Sequence, residues 1–98
     1  MKTFLDNTAS TDQSSRIHLP PGDWKFLADI PSGDAASVAV SQRRVGGVND
    51  VPVTFNDTAV ALTASAPTEI VISTGEEFSV QRSGGSGAIS VTAIQIEQ

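Results

Sequence analysis

Apolar and polar residues alternate along most of this 98-residue chain, the pattern of strands that bury one face. In the stretch DWKFLADI, residues 23–30, one face carries Trp24, Phe26, Ala28 and Ile30. Similar alternation recurs to the end of the chain, and Gly, Pro, Asn or Asp interrupts it every ~8 to 12 residues. No window has the 3.6-residue apolar period of a helix. The spacing predicts a single-domain antiparallel β-sandwich, jelly-roll or immunoglobulin-like, with about eight short strands and almost no helix.

The side chains expected in the core share the apolar faces of these strands. They are Trp24, Phe26, Phe55, Ile72, Phe78, Val80 and Val91. Near the C-terminus the apolar set changes parity at Ala93–Ile94. Because a one-residue slip moves a side chain to the opposite face, this change predicts a β-bulge or the end of core pairing, or else that Ile94 and Ile96 face a partner subunit.

The first fifteen residues lack this pattern and contain the polar run DNTASTDQSS. Residues 1–15 are therefore predicted to be an N-terminal arm outside the core, either flexible or ordered against a neighbouring subunit. The β-sandwich domain is expected to cover residues 16–98.

Charge limits the partners that the chain can bind. The net charge is −5, with six Lys and Arg in total, so neither nucleic acid nor an anionic membrane is an expected partner. The adjacent pair Arg43–Arg44 either carries two exposed strand-end charges or binds an acidic partner. No apolar run suits a secretory signal or a membrane span, so synthesis in the cytoplasm without a signal peptide is expected. The chain has no cysteine, which excludes disulfides, zinc–thiolate sites and thiol catalysis.

A glycine-rich stretch, QRSGGSGAISV at residues 81–91, is the first candidate for chemistry. A phosphate-binding loop needs a Gly-Lys-Ser/Thr end and a following helix, and this stretch instead leads into an alternating, strand-like sequence. We therefore predict a hairpin turn, whose exposed tip could contact a partner. The Gly-Gly and Asn-Asp signals at residues 46–50 likewise predict a hairpin connection.

Single aromatic and imidazole groups are the next candidates. His18 is the only histidine, and it lies in a strand-like alternation without a nucleophile elbow, so a solvent-facing strand residue is expected rather than a triad base or a metal ligand. Trp24 could stack on a sugar, but it shares a face with Phe26 and Ile30, which favours the core.

The carboxylates do not form a recognisable motif. Glu76 and Glu77 are sequence neighbours and would point apart, which makes them a poor acid–base pair. Asp50, Asp57 and the glutamates could meet at a calcium ion, but no calcium-loop pattern is present. The segment Asn56–Asp57–Thr58 matches a glycosylation sequon and is better explained as a turn. No catalytic residue, no cofactor-binding residue and no metal site is therefore predicted.

The stretches RIHLPPGDWKFLADIPSGDAASVAVSQRR and VPVTFNDTAVALTASAPTEIVISTGEEFSVQRSGGSGAISVTAIQIEQ resemble the small β-sandwich virion structural proteins of tailed bacteriophages. The likeness covers residues 16–98 and rests on a strand entered through Gly-Asp-Trp, a V-x-V strand and a glycine tip before a V-x-A-x-I strand. The segment 42–44 departs from it, because Gln-Arg-Arg stands where an aromatic residue or a Ser-Pro-Asp-Gly turn is more common.

The resemblance implies a non-enzymatic virion structural protein, a capsid decoration or knob subunit that docks on a repeated lattice as a homo-oligomer. Its partner would be the major capsid protein or another virion protein, with no cofactor. The expected docking elements are the arm at 1–15, the last strand at 93–98 and the loop tips at Gly46–Gly47 and Gly84–Gly85. Two alternatives stay open, a carbohydrate- or receptor-binding β-sandwich module and a small hydrolase that uses His18.

Overall fold

A computed structural model describes residues 1–96 of the chain. These residues contain strands and turns and no helix, and two antiparallel sheets enclose one core. The predicted all-β, single-domain sandwich is confirmed. The described residues form eleven strands rather than about eight, because the segment 51–63 divides into four very short strands and residues 2–8 form a further one.

The first sheet has four strands in the order β1-β11-β3-β9, and each neighbouring pair is antiparallel. Its strands are β1 (Lys2–Thr8), β3 (Gly22–Asp29), β9 (Thr68–Ser73) and β11 (Ile89–Gln95). β1 and β9 are therefore the two edges of this sheet.

The second sheet has the order β2-β10-β4-β5, and β8 also pairs with β4. Its strands are β2 (Ile17–His18), β4 (Ser37–Arg43), β5 (Val51–Pro52), β8 (Ala61–Thr63) and β10 (Glu77–Ser83). The antiparallel pairing of β4 with β5 confirms the hairpin that was predicted across the Gly-Gly and Asn-Asp signals.

A separate two-stranded hairpin joins β6 (Thr54–Phe55) to β7 (Thr58–Ala59). The two residues between them, Asn56 and Asp57, have positive φ angles of 52° and 64°. Positive φ at both central residues is the signature of a type I′ turn, whose twist matches that of paired strands. The turn predicted at Asn56–Asp57 is confirmed.

Five of the seven predicted core residues are buried between the sheets, and two are not. The buried ones are Trp24, Phe26, Phe78, Val80 and Val91. The prediction is wrong for Phe55 and Ile72, which are 61% and 71% exposed.

Strand β9 exposes its isoleucines because its inward face is fixed by Val71 and Ser73. Val71 pairs with Trp24 of β3 and is buried. The Ser73 hydroxyl donates a hydrogen bond of 2.7 Å to the Leu19 carbonyl oxygen and accepts one of 3.1 Å from the Gly75 amide. Since alternate residues of a strand point to opposite faces, Ile70 and Ile72 lie outside.

The expected arm at residues 1–15 is wrong for its first half, because Lys2–Thr8 form strand β1 on the edge beside β11. Phe4 and Leu5 are both buried, and the Phe4 ring stacks on Phe26 with centroids 5.3 Å apart. A register shift between Thr3 and Leu5 turns these neighbours toward the same core. The polarity of the following residues hid a core strand of only two large apolar side chains.

The bulge predicted at Ala93–Ile94 is also wrong. β11 pairs with β3 without a register break from Ser90 to Gln95, and Ile94 simply takes the outer face. The irregularities lie on the β1 side of β11 instead. β11 is thus an interior strand of the sheet, and Glu97–Gln98, the end of the segment expected to dock, lie outside the described residues.

Candidate functional site

The glycine-rich segment between Ser83 and Ile89 connects the two sheets. It leaves β10 in the second sheet and enters β11 in the first, so the predicted hairpin turn is wrong. Gly84 and Gly85 both have φ near +71°, a conformation that glycine adopts at little cost. The segment therefore turns the chain from one layer of the sandwich to the other.

A buried arginine holds this crossover in place. The Arg82 guanidinium donates hydrogen bonds to the carbonyl oxygens of Gly84, at 2.9 Å, and Gly87. Its Nη2 lies 3.6 Å from Asp34 Oδ1, and the Arg82 side chain is fully buried. Asp34 in turn accepts amide hydrogen bonds of 2.8 Å from Gly87 and Ala36, which lower the pKa of its carboxyl group.

This arrangement leaves no cradle for a phosphate. A Cβ atom placed on Gly85 would collide with Asp34 Oδ1 and come within 2.8 Å of Arg82 Nη2. Gly85 and Gly87 thus pack against the Asp34 carboxylate, and Gly85 also packs against the Arg82 guanidinium. Sequence reasoning missed Arg82 because an arginine in an alternating strand normally faces solvent.

A second charged cluster surrounds Asp50, in the loop between β4 and β5. Arg16 Nη2 and Arg43 Nε lie 2.6 and 3.3 Å from its carboxylate oxygens. The Gln13 amide donates to Asp50 Oδ2 at 3.3 Å and to Ser79 Oγ at 2.7 Å. The hydrogen bond from Arg16 is the largest cause that lowers the pKa of Asp50 to about 2.

The Asp50 cluster fastens the segment between β1 and β2 onto the second sheet. Ser14 adds to this attachment, because its amide donates to the Val80 carbonyl at 2.8 Å and its hydroxyl accepts from the Val80 amide at 2.9 Å. Of the basic pair proposed to bind an acidic partner, Arg43 is engaged by Asp50, while Arg44 is exposed.

The other residues considered for chemistry are dispersed. His18 is exposed on β2 opposite Glu77, as expected of a solvent-facing strand residue. Among residues 1–96 no group of three or more His, Cys, Asp or Glu side chains could hold a metal ion. Trp24 is 3% exposed and its Nε1 donates to the Pro20 carbonyl oxygen at 2.9 Å, so the predicted core position is confirmed and the ring offers no face to a sugar.

An open apolar groove of about 720 Å³ lies between β9 and the β6–β7 hairpin. Three exposed apolar side chains line it, Phe55, Ile70 and Ile72, each more than half exposed. Three buried valines, Val53, Val60 and Val71, also line this apolar groove. Its polar lining includes Lys25, Gln42 and Glu69, so one cationic and one anionic side chain border it.

Sequence reasoning assigned two of these residues, Phe55 and Ile72, to the core. The run Glu69-Ile70-Val71-Ile72 is apolar on both faces, so alternation alone does not say which parity is buried. The sequence signal that could have indicated the groove is Ser73. Its hydroxyl can hydrogen-bond backbone groups at a buried strand end, which would place Ser73 and Val71 inside and the two isoleucines outside. Exposed apolar clusters of this kind mark interaction sites in soluble proteins.

Comparison with known proteins returns no match: no family model, no curated protein and no solved structure is detectably similar to the chain. Residues 1–96 hold no helix of the length and apolar character needed to cross a membrane.

Proposed function

We propose that this chain is a non-enzymatic virion structural protein, a decoration or knob subunit that docks on a repeated protein lattice through the apolar groove. The observation that carries the proposal is the exposure of Phe55, Ile70 and Ile72 side by side on a small rigid sandwich. When a partner covers apolar side chains that are exposed to water in the free chain, the free energy of the system falls.

The rest of the molecule is consistent with a binding role. Its two charged clusters, around Arg82 and Asp50, are both used internally to hold loops on the sandwich. A lattice also relaxes the affinity that each copy needs, because linked copies bind with high effective concentration after the first contact. A groove of modest area can therefore serve on a particle even when a single contact is weak.

The test is co-sedimentation with purified capsids of tailed bacteriophages. We expect the wild-type chain to sediment with the particles and the Ile72→Asp variant to remain in the supernatant. Val48→Asp is the matched control, because Val48 is 80% exposed but lies in the β4–β5 loop and does not line the groove. Wild-type chain that stays in the supernatant with every particle preparation would contradict the proposal.

A further inference from the structure

Three sheet edges carry features that prevent pairing with another chain. β1 is interrupted by two register shifts. β5 contains Pro52, which has no amide to donate. The edge of β10 is covered by the short β2 at one end, and farther along the strand the Val80 amide and carbonyl groups are hydrogen-bonded to Ser14. Bulges, prolines and covering segments are the usual means by which proteins block edge-to-edge association.

Strand β9 has none of these features. It is six residues long, contains no proline and pairs with β3 in unbroken register. No backbone hydrogen bond within residues 1–96 occupies its other edge. The only charged residue in the strand is Glu69, and its outer face carries the exposed Ile70 and Ile72.

The hydrogen-bonding groups at the free edge follow from the pairing with β3. The Ala28 amide donates to the Pro67 carbonyl oxygen at 2.7 Å, which makes this position a hydrogen-bonded pair. Hydrogen-bonded and non-bonded pairs alternate along an antiparallel ladder. The backbone groups of Thr68, Ile70 and Ile72 therefore point away from β3, toward the apolar groove.

We infer that a second copy of this chain binds at this edge, with the two β9 strands antiparallel about a twofold axis at Val71. The apolar triplet Ile70-Val71-Ile72 is symmetric about its centre, so each copy presents what the other requires. Ile70 then lies opposite Ile72 of the second copy, and both residues direct their backbone groups at the partner. The two four-stranded sheets become one eight-stranded sheet.

Charge on the neighbouring strand favours this register over the next one. Ile72 pairs with Asp23 of β3, and Ile70 pairs with Lys25. With the twofold at Val71, Ile72 of one copy lies opposite Ile70 of the second copy. The row of neighbours across the joined sheet therefore begins with the acidic Asp23 of one copy and ends with the basic Lys25 of the other. A twofold at Ile70 would instead place a lysine at both ends of one row and would set Ile72 against Thr68.

The inference goes beyond the proposed function, because a second copy at this edge covers part of the apolar groove through which a single chain would dock, and the experiment separates the two. Light scattering is measured over a concentration series of the purified chain. We expect the mass to rise from that of one 10.2 kDa chain to twice that value. Ile72→Lys should raise the dissociation constant of the dimer at least about tenfold. The substitution places one lysine in each copy and so replaces two of the four isoleucines that pair across the interface. Val48→Lys, with the same charge change on an exposed loop residue, should leave the dimer intact.

A charge pair tests the register. Ile70→Lys and Ile72→Glu should each be monomeric alone. An equimolar mixture should form a heterodimer, because the introduced lysine of one copy faces the introduced glutamate of the other only with the twofold at Val71.

Two results would overturn the inference. One is a mass that stays at 10.2 kDa up to about 1 mM, where even a millimolar complex is substantially formed. The other is an undisturbed dimer of Ile72→Lys. A monomer that still sediments with particles refutes self-pairing alone, and a dimer that never sediments refutes only the docking function.

Discussion

Asp50 is the residue on which the attachment of the N-terminal segment depends. It accepts hydrogen bonds from Gln13 and Arg16 and forms an ion pair with Arg43, so one carboxylate joins the β1–β2 segment to the β4–β5 hairpin. Its pKa in the folded chain is about 2, below the ordinary value of 3.8. A carboxyl group whose pKa is lower in the folded state stabilises that state above its unfolded pKa, and this contribution is lost as the pH falls through the folded pKa.

The Asp50→Asn variant should therefore be less stable than the wild type near neutral pH, and the difference should shrink between about pH 4 and pH 2. Urea denaturation midpoints at a series of pH values measure both effects. Asp12→Asn, which removes one negative charge from the exposed part of the same segment, is the control and should leave the midpoint near neutral pH almost unchanged. A gap between Asp50→Asn and the wild type that persists unchanged to pH 2 would show that the carboxylate charge is not what fastens the segment.

At the scale of single elements, the β6–β7 hairpin has one residue that its turn does not favour. Asp57 has a φ of 64°, a region that glycine adopts at lower cost than aspartate, and Asn-Gly is the preferred type I′ pair. Asp57→Gly should raise the melting temperature by about 2–8 °C, because the cost of about 1–2 kcal/mol for a left-handed residue with a Cβ outweighs the additional entropy, about 0.5–1 kcal/mol, that glycine loses on folding. Thermal unfolding followed by circular dichroism gives the shift.

Asp57→Ala is the matched control for that variant. Alanine removes the same exposed carboxylate but keeps a Cβ in the left-handed region, so it should not raise the melting temperature. If alanine stabilises the chain as much as glycine does, the effect comes from lost charge and not from the backbone of the turn.

The elements themselves were largely predictable, and the faces they bury were not always so. The strand DWKFLADI alternates cleanly, and its buried face was predicted correctly from Trp24 and Phe26. Strand β9 is apolar at three successive positions, so its parity depends on the hydrogen bonds that the Ser73 hydroxyl makes with the nearby Gly75 and the distant Leu19. The alternation of apolar residues alone therefore did not predict the apolar groove, although Ser73 was a signal for it.

The connection between layers was hidden for a similar reason. A glycine-rich stretch between two alternating runs has the same sequence signal whether it forms a hairpin or crosses from one sheet to the other. What decides between them here is Arg82, whose buried guanidinium binds the carbonyl oxygens of the crossing segment and approaches Asp34. The contact with Asp34 joins residues nearly fifty positions apart and leaves no local pattern.

For the molecule as a whole, the clearest departure from the sequence pattern is which phenylalanine belongs to the core. Phe4, from the expected arm, is 8% exposed and stacks on Phe26, whereas Phe55, from the expected core, is 61% exposed on the hairpin. Truncating a buried phenylalanine removes its apolar burial and leaves a cavity, at a cost of about 3–5 kcal/mol. Truncating an exposed one should change the free energy of unfolding by less than about 0.5 kcal/mol.

The pair Phe4→Ala and Phe55→Ala therefore tests the core assignment with one chemical change at two positions. Urea denaturation at low chain concentration, where any dimer is dissociated, should show a large loss for Phe4→Ala and almost none for Phe55→Ala. A small loss for Phe4→Ala would mean that β1 is the dispensable arm, and a large loss for Phe55→Ala would mean that the hairpin lies against the sandwich. Because the apolar groove exists only if Phe55 is outside the core, that result would also remove the surface on which docking and self-pairing depend.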